Sequence, residues 1–271
     1  MRVFEFDADI SAYLSQWIFK KQIIKRYFTL FVPLILLSCN NPAPPKISIP
    51  VEHINPSKDQ AERRRQSELY CKAHQIPFYT NPNALFVDPQ DSVTLRTKAE
   101  VVDRVLALWY LGLKSEGADK SLLDAAEKKF HIDAKLTPKE LIYAADSHPI
   151  TQQDLDAGWK YEDMHLMLWA LGFVDSLAYP SHQCNVNDDT KTLKMLTEAQ
   201  FMQKAKLRSK KEILDQADLI LRLDWACVNA TVNKQTAPGN LDKAVVFERH
   251  YALNWLIRYL DENWDDVSTD T

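Results

Sequence analysis

The chain predicts an all-α fold: a single multi-helix globular domain over 61–271, behind a signal segment (1–38) and an extended tether (39–60). Three observations carry this reading. Apolar residues recur every three or four positions over four long stretches, no run alternates with the period of a strand, and the connections are short.

The first element is basic, then apolar. Lys20, Lys21, Lys25 and Arg26 precede the run Tyr27 to Leu37, which Leu36-Leu37-Ser38-Cys39 closes. That order is the one of a secretory signal. The run falls short of the roughly 20 residues that span a bilayer, and Pro33 interrupts it. Ser38 before Cys39 resembles the lipobox of bacterial lipoproteins. The resemblance implies cleavage before Cys39, a diacylglycerol on its sulfur, a palmitate-bearing lipid anchor and a chain held to a membrane outside the cytoplasm, in the periplasm or at the cell surface. Residues 1–19 are long and acidic for such a signal (Glu5, Asp7, Asp9), so a translation start near Lys20 gives an ordinary length.

Asn40 to Pro56 is proline-rich and reads as a tether. A polar helix is expected from Ser57 to about His74, then an irregular stretch, Gln75 to Asp91, packed by Ile76, Phe78, Leu85 and Phe86. The four long helical segments are Thr97–Leu113, Lys160–Phe173, Glu212–Ala230 and Leu241–Tyr259. Shorter helices are expected at Ser121–Phe130, at Pro138–Ala145 after a capping Thr137, and at Thr190–Ala205. Pro149–Thr151 and Pro180–Asn187 read as turns and loops.

Charge and glycine usage exclude some functions. The 33 basic and 37 acidic residues give a net charge of −4; the segment 1–38 holds five of the former and three of the latter, so its loss leaves −6. A mild acidic excess argues against nucleic acid as a partner. Five glycines, none spaced as G-x-G or as a P-loop, exclude nucleotide binding through those motifs. No G-x-S-x-G, H-E-x-x-H or papain-like context is present. With Cys39 acylated, Cys71, Cys184 and Cys227 allow at most one disulfide; Cys227 reads as core. Cys71-x-x-His74 and His182-x-Cys184 are at chelating spacing, but neither has a second pair, so neither a metal nor a cofactor is expected.

The sharpest physical signal is charge on apolar helix faces. On Leu241–Tyr259 the apolar arc holds Val245, Ala252, Leu253, Leu256 and Leu260, with Arg249 near its middle and Glu248 at its edge. His250, Asn254 and Arg258 fall on the opposite face, expected to be wet. On Glu212–Ala230, Asp224 projects among Ile213, Ala217, Ile220, Cys227 and Val228, while Asp215, Asp218 and Arg222 share a polar face. Lys160–Phe173 is apolar in nearly every direction, yet Glu162 points between Leu166 and Trp169; Arg104 sits between Leu108 and Leu111. Unpaired buried charge costs several kcal/mol. Glu162, Asp224 and Glu248 are therefore expected to find partners, with Arg104 and Arg249 the candidates. The plain reading is a salt-bridge network that fixes helix docking. The functional one is a polar centre of Glu162, Arg222, Glu248 and Arg249, where an arginine binds a small anion or a carboxylate acts as acid or base. Five tryptophans (Trp109, Trp159, Trp169, Trp225, Trp255) read first as core. Lys204, Lys206, Arg208, Lys210 and Lys211 read as solvated surface, Arg63–Arg65 as pairing with Glu62 and Glu68, and the acidic C-terminal residues as a solvated or capping tail.

Six ordered motifs are familiar together. R-R-R-Q-S-E-L with H-Q-I-P-F (63–69, 74–78) and L-R-T-K-A-E-V-V-D-R (95–104) open the match. W-K-Y-E-D-M-H-L-M-L-W-A-L-G (159–172), D-Q-A-D-L-I-L-R-L-D-W-A (215–226), E-R-H-Y-A-L-N-W-L (248–256) and W-D-D-V-S-T-D-T (264–271) complete it. From about Ala61 onward the chain resembles the bacterial domain-of-unknown-function family 4272. The resemblance carries no activity. Its characteristic positions fall on residues that include Arg96, Glu100, Arg104, Glu162, Asp218, Arg222, Glu248, Arg249 and Trp255. The expectation is a lipid-anchored extracytoplasmic binding or interaction module whose partner is a small anionic ligand or an envelope protein. The alternatives are a hydrolase using a buried carboxylate beside an arginine anion site, and a structural envelope protein.

Overall fold

The computed structural model describes residues 55–271; the signal-like stretch, Cys39 and most of the tether lie outside them. Among the described residues there are nine α-helices and no strand: α1 (Lys58–Ala73), α2 (Lys98–Ser115), α3 (Lys120–Phe130), α4 (Pro138–Ala145), α5 (Thr151–Ala170), α6 (Val186–Met195), α7 (Glu198–Lys204), α8 (Lys210–Val232) and α9 (Lys243–Leu256). The all-α expectation holds.

Helix starts follow from capping chemistry. Ser57/Gln60, Thr97/Glu100, Thr137/Glu140, Thr197/Gln200 and Ser209/Glu212 are capping boxes at α1, α2, α4, α7 and α8. In each, the cap hydroxyl accepts from the N3 amide and the N3 side chain accepts from the cap amide, satisfying two otherwise free donors. The expected helix over 190–205 is instead two, because the α7 box restarts the chain at Thr197. The expected turn at 149–151 starts α5, nine residues ahead of Lys160. The last long helix ends at Leu256 rather than Tyr259, since Arg258, Leu260 and Asp261 adopt left-handed φ of 52–55°. Leu260 consequently leaves the apolar arc and stands exposed.

The longest helices form a row, α1–α8–α9–α5–α2, with the most extensive contact between α2 and α5. Leu106 and Leu108 on α2 and Met164, Leu166 and Met167 on α5 have no exposed surface. Each such side chain contributes about 1.5–3 kcal/mol by leaving water. Close approach of the two helices needs Gly112, because a methyl there would overlap the Tyr161 ring. α3, α4 and α7 lie against α2, and α6 against α5. After α9 the chain returns to the helix row: Trp264 packs edge-on against Tyr251 and Trp255, at centroid distances of 5.2 and 5.4 Å. Arg96 holds this return, donating to Trp255 O (3.2 Å) and Glu262 O (2.6 Å).

Candidate functional site

All six sequence-selected charges are buried, yet they do not form one centre. Arg222 donates to Asp218 (2.9 Å) and to Leu85 O (2.7 Å). Arg104 donates to Glu140 (2.6 Å) with its guanidinium 4.8 Å over the Trp264 ring. Asp224 and His250 Nδ1 meet at 2.7 Å. Arg249 Nε donates to Glu162 Oε1 (2.8 Å) and its Nη1 to Ala178 O (2.7 Å). The other Glu162 oxygen accepts the Cys184 amide at 2.8 Å. Glu248 instead accepts from Lys160 (2.9 Å). The expected centre of Glu162, Arg222, Glu248 and Arg249 is thus split three ways. Glu248 and Arg249 are consecutive on one helix, so they point about 100° apart and meet different groups. His250 and Asn254, expected on a wet face, are buried: Asp224 takes the first, and Asn254 donates to Ser268 O (2.8 Å) under the C-terminal return.

Among these clusters the one around Lys160 is the least covered, with 22 % of the lysine side chain exposed. Lys160 Nζ donates at 2.9 Å to both Asp163 and Glu248, and its ammonium lies 4.9 Å from the Tyr251 ring centroid. Asp163 is fully buried and its second oxygen has no hydrogen-bond partner. Burial first, then the charge of Glu248, push the Asp163 carboxyl well above the ordinary carboxylate range against the pull of Lys160. Burial works to lower the Lys160 ammonium, but Asp163 and Glu248 outweigh it and raise it. With Asp163 protonated, one negative charge, on Glu248, stands against one positive, on Lys160. Above Lys160 lies an open cleft of about 460 Å³, walled by Glu140, Tyr143, Asp156, Tyr251, Trp264 and Asp265, among others.

Residues 63–267, which contain both the cleft and the Glu162–Arg249 pair, match the family described as Domain of unknown function (DUF4272). The chain belongs to that family. No curated protein and no solved structure matches it.

In this DUF4272 domain, sequence inspection missed Lys160, Asp163, Glu140, His165 and Asp189. Asp163 had a legible signal: it lies on a stretch, 160–173, that is apolar in nearly every direction. Glu140, 36 residues from Arg104, had none beyond its capping position. The basic run 204–211 is partly an internal strut. Arg208 donates to Trp169 O (2.8 Å), Val174 O (3.0 Å) and Asp175 O (2.8 Å), and Lys210 to Gln90 O (3.0 Å) and Val93 O (2.6 Å). Arg63 and Arg64 are buried too, while Arg65 pairs with Glu62 on the surface. Asp265 caps α4, accepting from the Thr137 hydroxyl at 2.6 Å. Cys71, Cys184 and Cys227 are free thiols; burial raises Cys71 to about 11 and Cys227 to about 12. Cys184 is also raised, by burial and then by Glu162 and Asp189.

Proposed function

We propose that this chain is a lipid-anchored, extracytoplasmic binding module whose ligand occupies the Lys160 cleft. The anchor rests on the order of residues from Lys20 to Cys39. The binding reading rests on one observation: an open cavity of about 460 Å³ lined by Lys160 and by the rings of Tyr143, Tyr251 and Trp264. The ligand class follows from the lining. Glu140, Asp156 and Asp265 face Lys139 and Lys160, so acids exceed bases. Arg104, Arg222 and Arg249, first considered for an anion, are each engaged by a carboxylate. A small ligand bearing amine and hydroxyl groups suits this lining better than an anion, with no nucleic acid and the membrane as the other partner.

The test is native mass spectrometry of the full-length chain extracted from its host's membranes. A reproducible added mass, lost when Lys139 and Asp156 at the cleft rim are both replaced by alanine, supports the reading. A mass retained in that variant, or a bare chain, counts against it. Cys39→Ser is expected to release the protein from the membrane fraction and to abolish labelling by palmitate; persistence of both removes the anchor from the proposal.

Acid–base catalysis is the second reading, favoured by the raised Asp163 carboxyl beside Glu248 and Lys160 under the same cleft. Turnover of the captured ligand by the native chain, lost in Asp163→Asn with binding intact, would select it.

A further inference from the structure

The opposite side of α5 carries a second cluster, remote in sequence and joined only by the fold. His165 lies on α5, Cys184 in the loop that follows it, and Asp189 in the first turn of α6. One nitrogen, one sulfur and one oxygen from these residues all lie within 4.8 Å of one another. We propose that His165, Cys184 and Asp189 form a transition-metal site of the zinc type, which fastens the 171–185 loop and α6 to α5.

The donor set is the first support. Thiolate, imidazole and carboxylate together suit a tetrahedral zinc ion, and three protein ligands leave a fourth position for water or a ligand. With zinc bonds of about 2.0–2.3 Å, ligand atoms stand roughly 3–4 Å apart, so side-chain adjustment of about an ångström closes the set. The local charge is the second support. The Cys184 thiol lies beside the carboxylates of Glu162 and Asp189, and of these only Glu162 is answered by an arginine, Arg249. Two acids around a thiol make a thiolate costly alone, and the same arrangement attracts a dication. Support from behind is the third. Glu162 accepts the Cys184 amide (2.8 Å) and is itself fixed by Arg249, so the backbone carrying the sulfur is held before any ion arrives. The thiol donates to Tyr161 O at 3.4 Å, and the His165 side chain is 13 % exposed, which leaves an entry route.

On binding, the Cys184 S–H bond breaks, the sulfur–metal bond forms, and the proton leaves to water. His165 Nδ1 now sits 2.8 Å from Asp189 Oδ2. That contact also suggests the rival arrangement, a cysteine nucleophile with a histidine–aspartate pair. The flanking carboxylates work against it, because they oppose the thiolate that such a nucleophile needs.

Titration of the reduced full-length chain with Co²⁺, followed by Zn²⁺, tests the site. One Co²⁺ per chain is expected, with tetrahedral d–d absorption and a thiolate-to-cobalt charge-transfer band, both erased by one equivalent of Zn²⁺. Cys184→Ser, nearly isosteric, is expected to remove the charge-transfer band and to loosen binding by roughly 100-fold or more. If that variant loses its helical circular dichroism, Asp189→Asn decides in its place, with loosening of at least about 10-fold. Zn²⁺ is also expected to protect Cys184 from iodoacetamide. A charge-transfer band that survives in Cys184→Ser, its absence from the native chain, or alkylation of Cys184 unaffected by Zn²⁺ would each overturn the proposal.

Discussion

Glu162 and Asp163 are neighbours on α5, and Glu248 and Arg249 are neighbours on α9, yet the two ionic contacts between these helices differ in kind. Glu162 with Arg249 is one acid and one base, with side-chain exposures of 0 % and 5 %. The remaining Glu162 oxygen and one further guanidinium nitrogen are taken up by backbone, the Cys184 amide and Ala178 O. Asp163 and Glu248 share a single base, Lys160, which keeps 22 % of its side chain exposed toward a cleft. Burial alone does not separate them. Charge balance and exposure do: the first contact is neutral and nearly covered, with Arg249 edging a small cavity of about 100 Å³, and the second has an acid in excess around a more exposed lysine.

Breaking the Glu162–Arg249 pair is expected to have the largest effect. Glu162→Ala leaves a buried guanidinium without its partner, and loss of one member of a buried pair costs about 3–5 kcal/mol. Urea unfolding of the variant and the native chain measures it. Replacing both residues by methionine removes the stranded charge and is expected to recover most of the loss, because a buried pair is worth little more than apolar packing. A loss under about 1 kcal/mol for the single variant would mean that Arg249 reaches water, and the contrast drawn above would fail.

Lys160→Met is expected to cost less, about 1–3 kcal/mol at neutral pH, although it removes the partner of two acids. A carboxyl escapes an unfavourable site by taking a proton, which a guanidinium cannot do by losing one. The loss should therefore shrink as the solution is acidified, and unfolding midpoints over a pH series read this directly. A pH-independent loss would show that Lys160 acts through packing on Tyr251 and Trp264 alone.

How much of this was visible in the residues alone follows from the same contrast. Helix positions were legible where an apolar stripe and a capping box coincide, as at Thr137 and Ser209. That Arg104, Glu162, Asp224, Glu248 and Arg249 would be buried was legible from the helix wheel, since a side chain on an apolar stripe is covered whatever covers it. Partners were legible only for Glu162, which meets Arg249. Arg104 finds Glu140 and Asp224 finds His250 through helix packing, which spacing along one chain does not encode. The wet face assigned to His250 and Asn254 failed because it assumed a solvent-facing side to α9. α8, α5 and the C-terminal return cover that helix.

Asp163→Asn isolates the excess acid. In the folded chain this carboxyl titrates above its ordinary 3.8, so between that value and its folded one the folded state holds more protons than the unfolded state. Stability then falls as pH rises through the window, and the asparagine variant is expected to lack that share of the slope. Infrared absorption from a protonated carboxyl, present in the native chain and missing from the variant, gives an independent reading. Equal slopes would place the proton elsewhere.

The smallest effect on stability is expected at the cleft rim, and it separates folding from binding. Lys139 meets Asp266 at 3.5 Å with side-chain exposures of 69 % and 66 %, and also donates to Asp265 O at 2.7 Å. Such exposed contacts contribute about 0–1 kcal/mol, so Lys139→Ala should leave the unfolding midpoint nearly unchanged. It nevertheless removes one of only two bases facing the cleft. If the cleft holds a ligand, occupancy in the extracted protein must change while stability does not, a combination no purely structural role of this region produces. If both stay constant, the Lys160 cluster is a packing compromise like the other, and its excess acid is accommodated by protonation of Asp163 alone.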